Sequence, residues 1–399
     1  MGDARSATRS VNLVTQRKRA NTNTKRKAPK RARSSPALAL PEDVNMSAVG
    51  LLHDMAELQS AERARFGYKR AAKAIVGLPV AVSDLVASGT LREVPFVGPS
   101  STRIITELVQ EGRSPTVDAA VAASGKERQV AAKRLLRSNY LSQFGMLAAV
   151  GHTPDDDRVS RATFRGDFQM HTTWSDGAEP VETMVKACLD LGHSCMGVTD
   201  HSYGLPVARG MSMSAVVRQH HEIDEVNAKY QGRFRVFKGI EANILADGSL
   251  DLQPDECQLF EFVVASPHSL LRRPEDQTAR MLGAIRAKRV AILGHPRGRV
   301  YNSRAGVVAA WDRIFAEAAA RRVAIEIDGN WHRQDLDFSL VRSAVDAGCL
   351  FALDSDAHSI AELRFTDFSI AHARIAGVPA ERVINTWTDT EIERWMAER

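Results

Sequence analysis

Residues 164–177 read FRGDFQMHTTWSDG, and six later runs share their character. These are CMGVTDH (195–201), FRVFKGIEA (234–242), FEFVVASPH (260–268), VAILGHP (290–296), VAIEIDGN (323–330) and LFALDSDAH (350–358). Each is a short β-type apolar stretch that breaks off into polar side chains. Helix-like segments separate them, among them EPVETMVKACLDLG, SAVVRQHHEIDEVNAKY and LDFSLVRSAVDAG. Strand–helix alternation repeated about seven times predicts an α/β fold with a parallel sheet, closed or nearly closed, and helices outside. Near-continuous apolar strands fit burial on both faces.

Polar groups collect where the strands end: His171 with Asp176, Asp200-His201, Glu241, His268, His295, Asp328-Asn330, and Asp356 with His358. In a β/α barrel the carboxyl ends of all strands converge on one face, so residues far apart in sequence meet there. A lone histidine is more often a surface or satisfied core residue. Seven strand ends carrying His, Asp or Glu point instead to a metal site, and mixed imidazole and carboxylate donors suit Zn²⁺, Mn²⁺ or Fe²⁺.

The motifs GDFQMHTTWSDG, VTDHS, KGIEANIL, ASPH, LGHPRGR and SDAHS, in this order and spacing, resemble the PHP (polymerase and histidinol phosphatase) domain. The segment EIDGNWHRQDLD is similar to the PHP module fused to bacterial family X DNA polymerases. The resemblance covers roughly Phe164 to Thr390 and implies a distorted barrel of seven β/α units holding up to three divalent ions. It implies Mn²⁺ or Zn²⁺, with Mg²⁺ or Fe²⁺ also compatible. Carried over by position, the first ion would use position 169, His171, Glu241 and Asp356. The second would use Glu241 as a bridge with His268 and His295, and the third Asp176, His201 and His358. One position departs from the family, whose HxH motif opens with histidine where this chain has Gln169. An amide oxygen can bind a hard cation but is a poorer donor to zinc. The implied chemistry is attack of metal-bound hydroxide on a phosphodiester, with Glu241 at the centre. Arg297 and Arg299 in HPRGR, and Arg333, are expected to hold substrate phosphate, because guanidinium forks match phosphate oxygens. Arg209 is a weaker candidate, and Trp174 and Trp331 are expected to flank the mouth.

The region N-terminal to the barrel is of another kind. Residues 46–113 show helical periodicity in VGLLHDMAELQ and YKRAAKAIVGL. The later stretch SDLVASGTLREVPFVGPSSTRIITELVQEG contains a turn at Val94–Gly98 and a new helix at Pro99. Glycine allows close backbone approach, proline and serine suit a helix start, and free N–H groups there can receive phosphate. The stretch resembles a helix-hairpin-helix. Together with Tyr68-Lys69-Arg70-Ala71-Ala72 it resembles the small N-terminal domain of bacterial family X polymerases. The expected nucleic-acid contacts are Lys69, Arg70, Val97, Gly98, Ser100 and Ser101. Residues 114–163 read as a helical linker, too short for a polymerase palm and thumb. Their acidic triplet Asp155-Asp156-Asp157 reads as a solvated turn, so polymerase activity is not expected.

The chain has 399 residues and a net charge of +5. Its first 36 residues hold 11 Lys/Arg against the single acid Asp3. With few large apolar residues, segment 1–45 cannot offset its ordering entropy and is expected to be a disordered basic tail, neutral or phosphate-binding. No apolar run is long enough to cross a membrane, no secretory pattern precedes the body, and four cysteines form no CxxC pair. A cytoplasmic protein with reduced thiols is the expectation.

Three functions follow. The leading one is a metal-dependent phosphoesterase on nucleic acid, a 3′–5′ exonuclease or DNA end-processing enzyme. It would meet single-stranded, nicked or gapped DNA, with a repair or polymerase partner. The second is a small-molecule phosphatase of the histidinol-phosphatase type, and the third a catalytically weak DNA-binding scaffold. Fold alone does not choose among them.

Overall fold

The computed structural model describes residues 42–151 and 158–399. The expected basic tail up to Pro41, and the acidic triplet at 155–157, lie outside the described residues. Seven strands pair in parallel and in chain order. They are β1 (Gly166–Asp167), β2 (Cys195–Val198), β3 (Arg235–Asn243), β4 (Phe262–Ser266), β5 (Val290–Leu293), β6 (Ala324–Asp328) and β7 (Leu350–Asp354). Helices Val181–Asp190, Met213–Lys229, Thr278–Arg286, Trp311–Arg321 and Phe338–Ala347 connect them, a 3₁₀ turn at Glu256–Leu259 lies between β3 and β4, and helix Thr366–Ala376 follows β7. Trp311–Arg321 shows why: Ile314, Phe315 and Ala318 are its buried face, at the spacing that lays one stripe on the sheet.

Side chains close the gap between β7 and β1. Asn385 donates from Nδ2 to the carbonyls of Gly166 (2.8 Å) and Leu353 (3.0 Å), and its Oδ1 accepts from Leu353 N–H (2.7 Å). The Asp354 carboxylate accepts from Phe168 N–H at 2.8 Å, and Asp167 accepts from Ser355 N–H at 3.2 Å. Backbone pairing resumes above them, where His171 N–H donates to the Ala357 carbonyl at 2.8 Å.

Aromatic packing seals the end where the strands begin. Phe168, Phe237 and Phe262 cluster there with Ile392, Trp395 and Met396 of the helix Asp389–Ala397. A Cβ on Gly239 would lie 2.5 Å from the Phe262 ring, so only glycine leaves that ring its place inside the barrel. With one end filled by fully buried rings, each worth about 1.5–3 kcal/mol, the strand-end face is left open to the site.

The helical region starts at Val44–Leu58, where Asp43 caps the helix by accepting from Met46 N–H. Glu62–Val76, Val82–Ala87 and Pro99–Glu111 follow, and their core joins Leu52, Ile75, Val82, Leu91 and Ile105. Tyr301 of the barrel packs against that core. Segment 114–151 does more than link. Helix Pro115–Ser124 places Val117 against Met55 and Ile104, and helix Gln143–Gly151 places Met146 and Ala149 against Ala371 and Ile375 of the barrel. Arg137 pairs with buried Asp54 and donates to the Gly50 carbonyl at 2.8 Å, which binds the segment to the first helix.

Candidate metal centre at the barrel mouth

Glu241, near the end of β3, is fully enclosed by imidazoles. His295 Nε2 lies 2.9 Å and His268 Nε2 3.4 Å from its Oε1. His201 Nδ1 lies 3.0 Å and His171 Nε2 3.5 Å from its Oε2. Asp176 Oδ1 gathers a second group, at 3.5 Å from His358 Nε2, 3.7 Å from His201 Nε2 and 4.0 Å from His171 Nδ1. Asp356 Oδ1 sits 3.1 Å from His171 Nε2. Three donor sets result: His171, Asp176, His201 and His358; His201, Glu241 and His268; and His171, Glu241 and Asp356.

Local structure explains how the chain presents them. Asp200 pins the 171–176 loop by accepting from Thr172 N–H (2.8 Å) and Oγ1 (2.6 Å), Ser175 N–H (3.1 Å) and Gln219 Nε2 (2.6 Å). That fixes His171 and Asp176 together. His295 (φ 21°) and Asp356 (φ 51°) adopt left-handed backbone conformations, which L-residues keep only where the surroundings enforce them. Both aim their side chains at Glu241.

Electrostatics favours lone pairs facing inward. Burial, then the neighbouring His358 and His201, push His171 well below the usual imidazole range. Burial likewise takes His295 down to about 4. Burial alone would raise the Glu241 carboxyl, but His201 and His268 outweigh it and hold it well below the usual range. The rings of His201 and His358 stack on His171 at 4.4 and 4.2 Å, close enough for charge on either ring to oppose a proton on His171. His171 Nδ1 is buried without a hydrogen-bond partner, and so are Nδ1 of His268 and of His295. Converging donors and orphaned nitrogens fit divalent cations in the two sets built on Asp176 and on Glu241 with His268. The third set, around Asp356, does not fit so simply, because Gln169 and Arg333 already reach it.

Below the mouth lies a layer of buried carboxylates, of which the strand-end pattern singled out only Asp328. Burial raises Asp167, Glu326 and Asp354, the last to about 6, and raises Asp328 to about 7. Glu326 accepts from the backbone N–H of His295, so it seats a donor residue. A carboxylate one turn of pleat away from a ligand is the signal that could have marked it.

Gln169, His171, Asp176, His201, Glu241, His268, His295, Asp356 and His358 are all brought together. A cavity of about 220 Å³ opens on all of them but Gln169 and His171, lined also by Leu205, Val207, Ala208 and Arg333. Arg333 reaches Asp328 Oδ2 at 3.1 Å and pairs with Asp356. The expectation for Arg297 and Arg299 is corrected. Arg299 is buried, donating to Asp337 (2.7 Å) and to the carbonyls of Arg333 and Ser138 (both 3.1 Å), with its guanidinium 3.7 Å from the Tyr140 ring. Arg297 spends its nitrogens on Asp337 (3.3 Å) and the Ala305 carbonyl (2.9 Å). Neither lines the cavity; both tie loops together beneath it. Arg209 is exposed but is likewise no part of the lining. Trp174 donates to Glu222 at 2.6 Å and packs its own loop, whereas Trp331 lies against the His332 ring.

In the helical region Lys69, Arg70 and Ser100 are exposed, and Gly98 is the residue before the helix Pro99–Glu111. Val97 and Ser101 are a correction as side-chain contacts: both are buried, so only their backbone could meet a ligand. The sequence reading missed Phe96, which is 62% exposed at the hairpin tip with φ 68° and has the Arg70 guanidinium 5.3 Å from its ring. Among the described residues no helix is long and apolar enough to cross a membrane, and the four cysteines are buried and free.

No protein-family model matches the chain. It is 25% identical over 216 residues to a probable phosphatase of Vibrio parahaemolyticus, covering 51% of this chain and 81% of that one. Among solved structures it is similar to the histidinol phosphate phosphatase of Lactococcus lactis, complexed with zinc, L-histidinol and phosphate. That similarity has a TM-score of 0.40 and 16% identity over 52% of this chain and 92% of the other. By sequence homology, with which the seven-stranded barrel and its donor sets agree, the class this chain is similar to is that of the PHP-type phosphoesterases. Within that class the chain is homologous to the DNA polymerase/3′-5′ exonuclease PolX of Bacillus subtilis (strain 168). The two are 34% identical over 239 residues, 60% of this chain. The match spans 42% of the length of that relative.

Proposed function

We propose that this protein hydrolyses phosphodiester bonds in DNA, as a 3′–5′ exonuclease or end-processing enzyme using Mn²⁺ or Zn²⁺. Its substrates are single-stranded, nicked or gapped ends, met in the cytoplasm beside a repair or polymerase partner. The observation that carries this reading is the helical region docked on the rim of the site with its basic helix Glu62–Val76. Lys69 and Lys73 of helix Glu62–Val76 share a cavity of about 210 Å³ with Trp331 and His332, next in the chain to Arg333. A metabolite phosphatase gains nothing from such an extension.

Bound divalent ions supply a water of lowered pKa and offset charge on the phosphoryl oxygens. The chain provides the rest. Buried Glu241, His171 and His295 form the floor, while His268, Asp176 and His358 are partly exposed and face the entering group. Arg333, held by Asp328 and Asp356, presents a guanidinium to the phosphate. The metal cavity holds a phosphate group but little more, so sugar and base must rest on the rim, where Val207 is exposed and Trp331 offers a ring for stacking.

The purified protein with Mn²⁺ should degrade end-labelled single- or double-stranded DNA to a nucleotide ladder. Cleavage of a chromogenic monoester alone would favour the small-molecule phosphatase. Salt-sensitive DNA binding without turnover of either would favour the scaffold.

A further inference from the structure

Gln169 lies fully buried beneath the mouth. Its Nε2 donates to Glu241 Oε1 at 3.0 Å and to Asp356 Oδ1 at 3.4 Å. The amide's own oxygen points away and is buried without a partner. Turning the amide over would set that oxygen against two carboxylates, acceptor against acceptor, so the NH₂ group belongs on the carboxylate side. The other oxygen of Asp356 is taken by the Arg333 guanidinium, which is anchored in turn on Asp328 at 3.1 Å. The position among His171, Glu241 and Asp356 is thus already filled with hydrogen-bond donors and a fixed positive charge.

We infer that this chain binds two divalent ions rather than three, the Gln169 amide and the Arg333 guanidinium standing in for the third. The ions remaining are those of the Asp176 set and of Glu241 with His268. The inference rests on the metal-dependent reading above and sharpens it. A guanidinium cannot activate a water by coordinating it, but it is a permanent cation whose nitrogens not spent on Asp328 and Asp356 can donate to phosphate. Arg333 therefore supplies one positive charge where the ion would bring two, and gives up its Lewis acidity.

The test is ion stoichiometry. Protein equilibrated with Mn²⁺ and analysed by plasma mass spectrometry should carry two ions per chain. The double variant Gln169→His with Arg333→Met should carry three. Gln169→Glu keeps the shape of the side chain but adds a carboxylate beside Glu241 and Asp356. It should also recruit a third ion, and its melting temperature should rise more with Mn²⁺ than that of the wild type. Three ions on the wild type, or two on both variants, would overturn the inference. The outcomes separate cleanly from the broader reading. Three ions with an intact DNA ladder defeat this inference alone, whereas no bound ion at all defeats the metal-dependent function with it.

Discussion

Glu241 is the residue on which the site turns, since four imidazoles approach its two oxygens within 3.5 Å. Glu241→Gln preserves shape and removes the charge. It should cost at least ~10³-fold in turnover and release bound metal, measured by DNA hydrolysis and ion content on one preparation. The arginines separate by what they touch. Arg299→Ala leaves buried Asp337 without its close partner and should destabilise the fold by about 3 kcal/mol, read by denaturant unfolding, with little change in KM once folded. Arg333→Ala should do the reverse, raising KM or lowering kcat with a smaller effect on stability. The sequence placed both arginines of HPRGR correctly beside a strand end. It could not show that Asp335 and Asp337, about forty positions on, claim that loop first. Asp335 accepts from the backbone N–H groups of Arg297 (3.0 Å) and Gly298 (2.6 Å), and Asp337 takes the guanidinium groups. Such long-range pairing leaves no periodic trace in a single chain.

At the scale of elements, the strands were legible because each is an apolar run ended by a ligand-type residue. Yet β1 has only two paired residues, and the seam it shares with β7 depends on Asn385. That residue lies beyond every strand the sequence displayed, in a segment without β pattern. Asn385→Ala would strand a buried N–H and two carbonyls, and a loss of about 3 kcal/mol is expected in equilibrium unfolding. His53 reports the join between helical region and barrel, with its ring 5.5 Å from Tyr301. Burial, with Arg137 and Lys69 nearby, lowers it to about 4. Above pH 6.5 it is neutral folded or unfolded and costs nothing. As pH falls from 6.5 toward 4 the unfolded chain takes the proton first, so stability declines by at most about 3 kcal/mol. His53→Phe should flatten that part of the melting temperature–pH curve. An unchanged curve would place the acid sensitivity elsewhere.

For the whole molecule, the resemblance of seven motifs in order pointed to the barrel and to nine positions that the structure brings close together, because a β/α barrel converts strand order directly into a ring of side chains. The docking of the helical region was not legible. It runs through Tyr301, Asp54 and Arg137, side chains whose complementarity appears only in three dimensions. That docking makes a joint electrostatic surface, so DNA affinity should fall steeply with salt. Replacing Lys69 and Lys73 by alanine should lower the slope of log affinity against log salt by about 1.5. The measurement that bears most directly on the whole proposal is anomalous diffraction at the manganese edge from crystals grown with Mn²⁺. Peaks are expected within about 2.5 Å of donor atoms in the Asp176 set and in the set of Glu241 with His268. A fully soaked crystal showing no peak at either place would contradict the assignment of this barrel mouth as a metal centre.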